Sequence, residues 1–325
     1  MFHVFRDPSE FVASLDSNVE LIPFGPDPFE VRLAAAQLPN VRVRSFQETK
    51  PRIAHVQHPR DRAYFAFVPD PHGTPVVVDG MEVRPGDVLM FGRDCLSHQR
   101  RTAPGGWTSL SLTLDRLGEL TGESPPPPQA RLLTRPAVWH RLSALQAAAT
   151  SLPSGPLNET TWHDAAWAID QSLLQTISEC MLSLTNRQEG PGRLRHKVLL
   201  GRFRTLLDAN MDRALYLPEV CAALGISQRT LTHVCQEYLG MAAKKYFWLR
   251  RMHMARRALL TADPASATVT EIATHYGFWE LGRFSVHYRA LFGEKPSVTL
   301  HGSAGKLRGE LEDWRHPDHR RLRVG

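Results

Sequence analysis

Gln228, Arg229, Thr232, His233 and Gln236 place hydrogen-bonding side chains on one side of a segment whose other side is Leu231, Val234, Cys235 and Tyr238. Apolar residues at i, i+3, i+4 and i+7 predict an amphipathic helix over Gln228–Leu239. A polar face of this kind suits the donor and acceptor pattern of base edges in a DNA major groove, and Thr230 joins it as a candidate contact. A second segment, about Glu280 to Phe292, turns Phe284, Tyr288 and Leu291 inward and offers Glu280, Leu281, Gly282, Arg283, Ser285 and His287. Gly282 and Val286 give a base no hydrogen bond, so the first segment is expected to read sequence more directly. The second then works through Arg283, His287, phosphates and DNA shape. Lys244, Arg250 and Arg251, between the two, are candidate phosphate contacts.

Catalytic chemistry finds little support. His55 and His58 are three apart, which in an extended strand puts them on opposite faces, and His72 and His98 stand alone. No metal site, cofactor or catalytic residue is therefore assigned. Cys95 lies between Asp94 and Leu96, without the preceding Pro and following His of a reactive alkyl acceptor, and GxSxG, P-loop and GxGxxG patterns are missing. Tyr64, Phe67, Phe91 and Trp107 are candidate lining for an apolar effector pocket. The Arg100-Arg101 pair suits either an acidic ligand or a solvated loop.

The two polar faces need elements to carry them. Leu217–Leu224 reads as a short helix with Pro218 in its first turn; Gly225 turns the chain, Ser227 caps the next helix and Gly240 ends it. The grammar repeats. Thr270 is the expected cap of a helix over Glu271–Tyr276, Gly277 turns, and Gly293 closes the helix that follows. The turn glycines lie 52 positions apart and the closing glycines 53. Repeated helix-turn-helix units are the result, joined by a basic amphipathic helix over Lys244–Leu260. Two such recognition helices on one face of a duplex sit roughly one turn, ~34 Å, apart.

Upstream, residues 1–124 read as β-rich. Short apolar runs such as Ala63–Val68, Val76–Val78 and Val88–Phe91 alternate with Asp79-Gly80 and Pro85-Gly86-Asp87 turns, and Trp107–Leu114 supplies one more strand. A compact cupin-like barrel is expected. Pro125–Pro128 is a stiff spacer. Helices over Pro136–Thr150 and Thr161–Ser183 make 125–187 a helical connector, packed on its own chain or on a second copy, and Asn186–Gly192 is a flexible linker. The two-unit domain is expected over 193–301, followed by a basic tail over 302–325. The fold class is thus α+β.

Charge follows the same division. Arg193–His301 carries 16 Lys and Arg against 8 Asp and Glu, whereas Met1–Gly192 carries 17 against 21. A basic domain beside an acidic one implies a polyanion partner for the first. The first ten residues lack the apolar core of a secretion signal, no apolar run reaches membrane-spanning length, and the four cysteines form no CxxC pair; a cytoplasmic protein with reduced thiols is expected.

Leu217–Gly240 and Thr270–Pro296 resemble the AraC/XylS regulators, the signature segment being Gly277-Phe-Trp-Glu-Leu-Gly-Arg-Phe-Ser-Val-His-Tyr-Arg-Ala-Leu-Phe-Gly-Glu-Lys-Pro296. Within that family, GFWELGRF followed by FGEKPSVTLH resembles the ethanolamine-operon regulators. The resemblance implies a transcription regulator, specifically an activator, that binds promoter or operator DNA through both units and a small-molecule effector through its N-terminal domain. RNA polymerase and a second copy of the chain are further implied partners. Cys235 stands where the family often has Phe. The alternative is a cupin-type enzyme fused to a nucleic-acid-binding module.

Overall fold

The computed structural model describes residues 2–122, 129–152, 159–182, 191–210 and 215–302. The chain divides into two compact units, one made mainly of residues up to Lys197 and one mainly of residues from Val198 onward. The proline spacer, most of the expected linker and nearly all of the basic tail lie outside the described residues.

In chain order the first unit contains β1 (Phe2–Phe5), α1 (Pro8–Ala13), β2 (Asn18–Pro23), β3 (Val31–Gln37), β4 (Arg42–Glu48), β5 (Arg52–Gln57) and β6 (Arg62–Phe67). There follow β7 (Val76–Val78), β8 (Met81–Val83), β9 (Asp87–Phe91), β10 (Leu96–Arg101), β11 (Gly105–Thr113), α2 (Leu114–Thr121), β12 (Ala130–Thr134), α3 (Pro136–Ser151) and α4 (Glu159–Leu182). The turn between β7 and β8 is the Asp79-Gly80 pair, with φ of 48° and 74°, the conformation a two-residue hairpin turn requires.

These strands do not form the expected barrel. They make two open sheets, ordered β1-β3-β4-β11-β6-β9-β12 and β2-β5-β10-β7-β8, and no strand pairing among the described residues joins one to the other. Period-two alternation explains the arrangement. In β6, Tyr64 and Ala66 enter a core shared with Val19, Leu21, Ala54 and Val56 of the five-stranded sheet. Ala63, Phe65 and Phe67 enter a second core with Leu117, Trp139, Leu142, Leu173 and Ile177 of α2, α3 and α4. The seven-stranded sheet is thus covered on both faces, with a sheet on one side and helices on the other. That is why β6 and β9 read as nearly continuous apolar runs.

The connector is accordingly part of this unit. β12 adds to the sheet edge beside β9, and the Trp139 indole donates to the Val68 carbonyl at 2.8 Å. Arg101 is fully buried, donating to the Gly106 carbonyl at 2.6 Å and lying 3.3 Å from Glu48, so the Arg100-Arg101 pair is strand rather than solvated loop. His98 does not stand alone either. It faces His55 across β10 and β5, with their Nδ1 atoms 2.6 Å apart.

The second unit is helical: α5 (Pro191–Asp208, its first residues belonging to the first unit), α6 (Leu217–Leu224), α7 (Gln228–Leu239, its last three residues grouped with the first unit), α8 (Ala243–Thr261), α9 (Val269–His275) and α10 (Leu281–Phe292). A last helical turn covers 296–302. Phe203 of α5 packs on Tyr246 and Phe247 of α8. The Tyr288 hydroxyl donates to Thr299 at 2.8 Å and ties α10 to that last turn.

Candidate nucleic-acid interface and ligand cavity

α6 ends at Gly225, whose φ of 67° lets the chain reverse before α7. Ser227 then accepts the Thr230 backbone N–H at 3.1 Å, and the two hydroxyls lie 2.9 Å apart. Thr230 is therefore half-buried in the cap. Beyond it, α7 is sharply two-sided. Leu231, Val234, Cys235 and Tyr238 are buried, while Gln228, Arg229, Thr232, His233 and Gln236 are exposed on the other face. Arg229 makes no ion pair with a described residue.

α9 begins two residues before the expected start. Thr268, not Thr270, is the cap: its hydroxyl accepts the Glu271 N–H at 3.2 Å while the Glu271 carboxylate accepts the Thr268 N–H at 3.0 Å. This reciprocal capping box outcompetes a lone threonine. In α10, Glu280, Leu281, Gly282, Arg283 and His287 are exposed and Ser285 is half-buried. Arg283 pairs with Glu280 at 3.0 Å, and His287 leans edge-on against Trp248. Trp279 and Val286 add two open apolar side chains, 72% and 70% exposed.

The three candidate phosphate contacts differ. Lys244 is exposed. Arg250 is 5% exposed and ion-paired with Asp208, so it braces α8 against α5 rather than facing a polyanion. Arg251 is half-buried with its guanidinium 5.2 Å from the Phe278 ring centroid, and burial lowers its pKa against the opposing effect of Tyr216. The helical spacing that makes α8 basic cannot by itself distinguish arginines that snorkel from those that pair inside.

Between the two sheets of the first unit lies a cavity of about 660 Å³, counting its open mouth. Tyr64, Phe91 and Trp107 are among the residues that line it. Phe67 does not, because it points from the opposite face of β6 into the helix-covered core. Phe46, Glu48, Arg52 and His58 join the lining; a strict alternation count along each strand sorts Phe67 out but does not bring in residues from β4, β5 and the turn after β5. Glu48 and Arg52 form a buried pair, Arg52 Nε reaching both carboxylate oxygens at 2.9 and 3.0 Å. His58 stacks on Phe91, ring centroids 4.3 Å apart, and burial pushes its pKa down to about 3.

Residues 220–302 match a helix-turn-helix domain family. The probable thc operon regulatory protein of Rhodococcus erythropolis is 40% identical over 94 residues, 29% of this chain and 28% of that protein. The XylDLEGF operon transcriptional activator of Pseudomonas putida is 34% identical over 94 residues, 29% of each. The chain thus spans less than a third of the length of either relative. The crystal structure of the AraC-like transcriptional activator CuxR aligns with 79% of this chain and 96% of that one, at 12% identity and a TM-score of 0.39, a likeness too slight to argue from. No helix among the described residues is long and apolar enough to cross a membrane. Over residues 220–302, then, the chain carries a helix-turn-helix domain similar to that of operon regulators.

Proposed function

We propose that this protein is a sequence-specific, DNA-binding transcription regulator of the AraC/XylS type, with α6–α7 and α9–α10 as two helix-turn-helix units. The observation that carries this reading is the two-sided α7, whose buried face anchors it while Arg229, Thr232, His233 and Gln236 are exposed on the opposite face, the side a recognition helix turns to base edges. Gln228 joins them, and α10 contributes Leu281, Gly282, Arg283, Ser285 and His287. Lys244 is the phosphate contact retained from the sequence. The matched relative in Pseudomonas putida is named an activator, which favours activation here. Contact with RNA polymerase and pairing into a homodimer belong to this reading, the exposed Trp167 of α4 being the first surface to test for the latter. The segment Gly277–Pro296 supports the closer kinship with ethanolamine-operon regulators. The first unit, with its cavity, is read as a binding domain for an effector rather than as an enzyme.

The test is selection of duplexes from a random pool by the full-length protein. Arg229→Ala should then weaken binding to the selected duplex by about 1–3 kcal/mol and leave binding to a scrambled duplex nearly unchanged. Equal losses on both would make Arg229 a phosphate contact, and a pool without enrichment would refute sequence-specific binding.

A further inference from the structure

If α7 and α10 are both recognition helices, as proposed above, the reading face of α10 follows from that of α7. The buried residues Leu231, Cys235 and Tyr238 of α7 each stand 53 positions before the buried Phe284, Tyr288 and Leu291 of α10. On this register Arg229, Thr232, His233 and Gln236 correspond to Gly282, Ser285, Val286 and Arg289. Val234 alone has an exposed counterpart, His287, which leans on Trp248.

Val286 holds the middle of that face. It lies about 200° around the helix from Phe284, nearly opposite the buried side, and is 70% exposed. Gly282, one turn earlier, has open space where a Cβ would go, and Ala290, one turn later, is small and exposed. The strip Gly282, Val286, Ala290 therefore carries no hydrogen-bonding side chain and nothing bulky. Arg283 and Arg289, three positions to either side of Val286, are exposed. A purely apolar partner would leave Arg289, which makes no ion pair with a described residue, without a counter-charge. An isopropyl group flanked by cations instead suits a partner that is anionic at its rim and apolar at one point of its floor.

A DNA major groove has that form. Phosphates line its edges, and among the four bases only thymine places a methyl group on its floor. Another base edge set against Val286 would turn a donor or acceptor toward a side chain that cannot bond it, and would lose its water. We propose that Val286 reads thymine by packing against the C5 methyl. Gly282 lets the backbone of α10 come close to the groove floor, and Arg283 and Arg289 meet the flanking phosphates. α7 then reads by hydrogen bonds and α10 by a methyl contact.

The test uses the full-length protein and the duplex it selects from a random pool. Each thymine is replaced in turn by deoxyuridine, which deletes the methyl and keeps every hydrogen-bonding group. At one or two thymines affinity should fall about three- to fivefold, the worth of one buried methyl group. Val286→Ala should weaken binding to the thymine duplex by a similar factor and respond less than about twofold to deoxyuridine at those positions. The side chain is exposed, so the unfolding midpoint of this variant should be unchanged. A selected site indifferent to every methyl, a methyl effect that persists in Val286→Ala, or unaltered affinity of Val286→Ala for the thymine duplex would each overturn the proposal. The last outcome would leave this face to a protein partner. All three leave sequence-specific binding standing, whereas a pool without enrichment refutes that reading and the thymine contact together.

Discussion

Asp170 of α4 accepts the backbone N–H of Val41 at 3.0 Å, and the same carboxylate takes the backbone and side-chain amides of the adjacent Asn40 at 2.9 and 2.6 Å. One fully buried acid thereby satisfies the donors of the β3–β4 turn and pins a helix to it. Asp170→Ala would strand those donors, and each buried unsatisfied group costs about 1–3 kcal/mol. The variant should lose about 3 kcal/mol in chemical denaturation of the first unit. A loss below about 1 kcal/mol would mean that water replaces the carboxylate.

Lys244 is the exposed member of the expected phosphate set. Replacing it with Ala should weaken binding to selected and scrambled duplexes alike. The plot of log affinity against log salt should become shallower by about 0.9, one phosphate's worth. Arg250→Ala should behave differently. It removes a buried guanidinium and its pairing with the half-exposed Asp208, so its first effect should be a lower unfolding midpoint. An unchanged midpoint with a shallower salt slope would return Arg250 to the interface.

Gly282 sits in the first turn of α10 with open space where a Cβ would go. Nothing in the protein demands glycine there. Gly282→Ala should therefore be neutral or stabilise the fold by up to about 1 kcal/mol through helix propensity. If the same variant loses DNA affinity, the duplex approaches α10 at this point; unchanged affinity would place the DNA elsewhere.

His58 makes the first unit sensitive to acid. Its folded pKa, about 3, lies below the 6.5 of an exposed imidazole. Between these values the unfolded chain binds a proton that the folded one does not, so stability rises with pH across the window and is complete above 6.5. The slope is at most about 1.4 kcal/mol per pH unit. His58→Asn should flatten the acid limb of stability measured from pH 6.5 downward. An unaltered limb would assign the acid sensitivity to other groups.

The helix pairs were legible because their signals are local. Gly225, Ser227, Gly240, Gly277 and Gly293 punctuate the chain, and the apolar spacing of Leu231–Tyr238 specifies the buried face without reference to anything distant. α9 is capped by Thr268 rather than Thr270 because Thr268 has a reciprocal partner in Glu271, which residue type alone does not reveal. The first unit was less legible because its decisive contacts are remote in sequence. Nothing near Ala130–Thr134 announces that it will pair with β9, and barrel and sandwich share the same alternation until strand order is known. The cavity followed the same rule. Tyr64, Phe91 and Trp107 were found by type, while His58 became visible only when Ser97 and Phe91 were brought beside it. Burial of Arg250 depended on Asp208, 42 positions earlier.

β6 is a wall common to two compartments, since Tyr64 and Ala66 look into one and Phe65 and Phe67 into the other. Close-packed interiors transmit displacement rather than absorb it. A guest molecule that moves Tyr64 is therefore felt by α3 and α4, which never touch it. By reciprocity, any clamp on those helices changes the guest's affinity by the same factor. The helices behind the sheet are in this sense a second handle on the same lock.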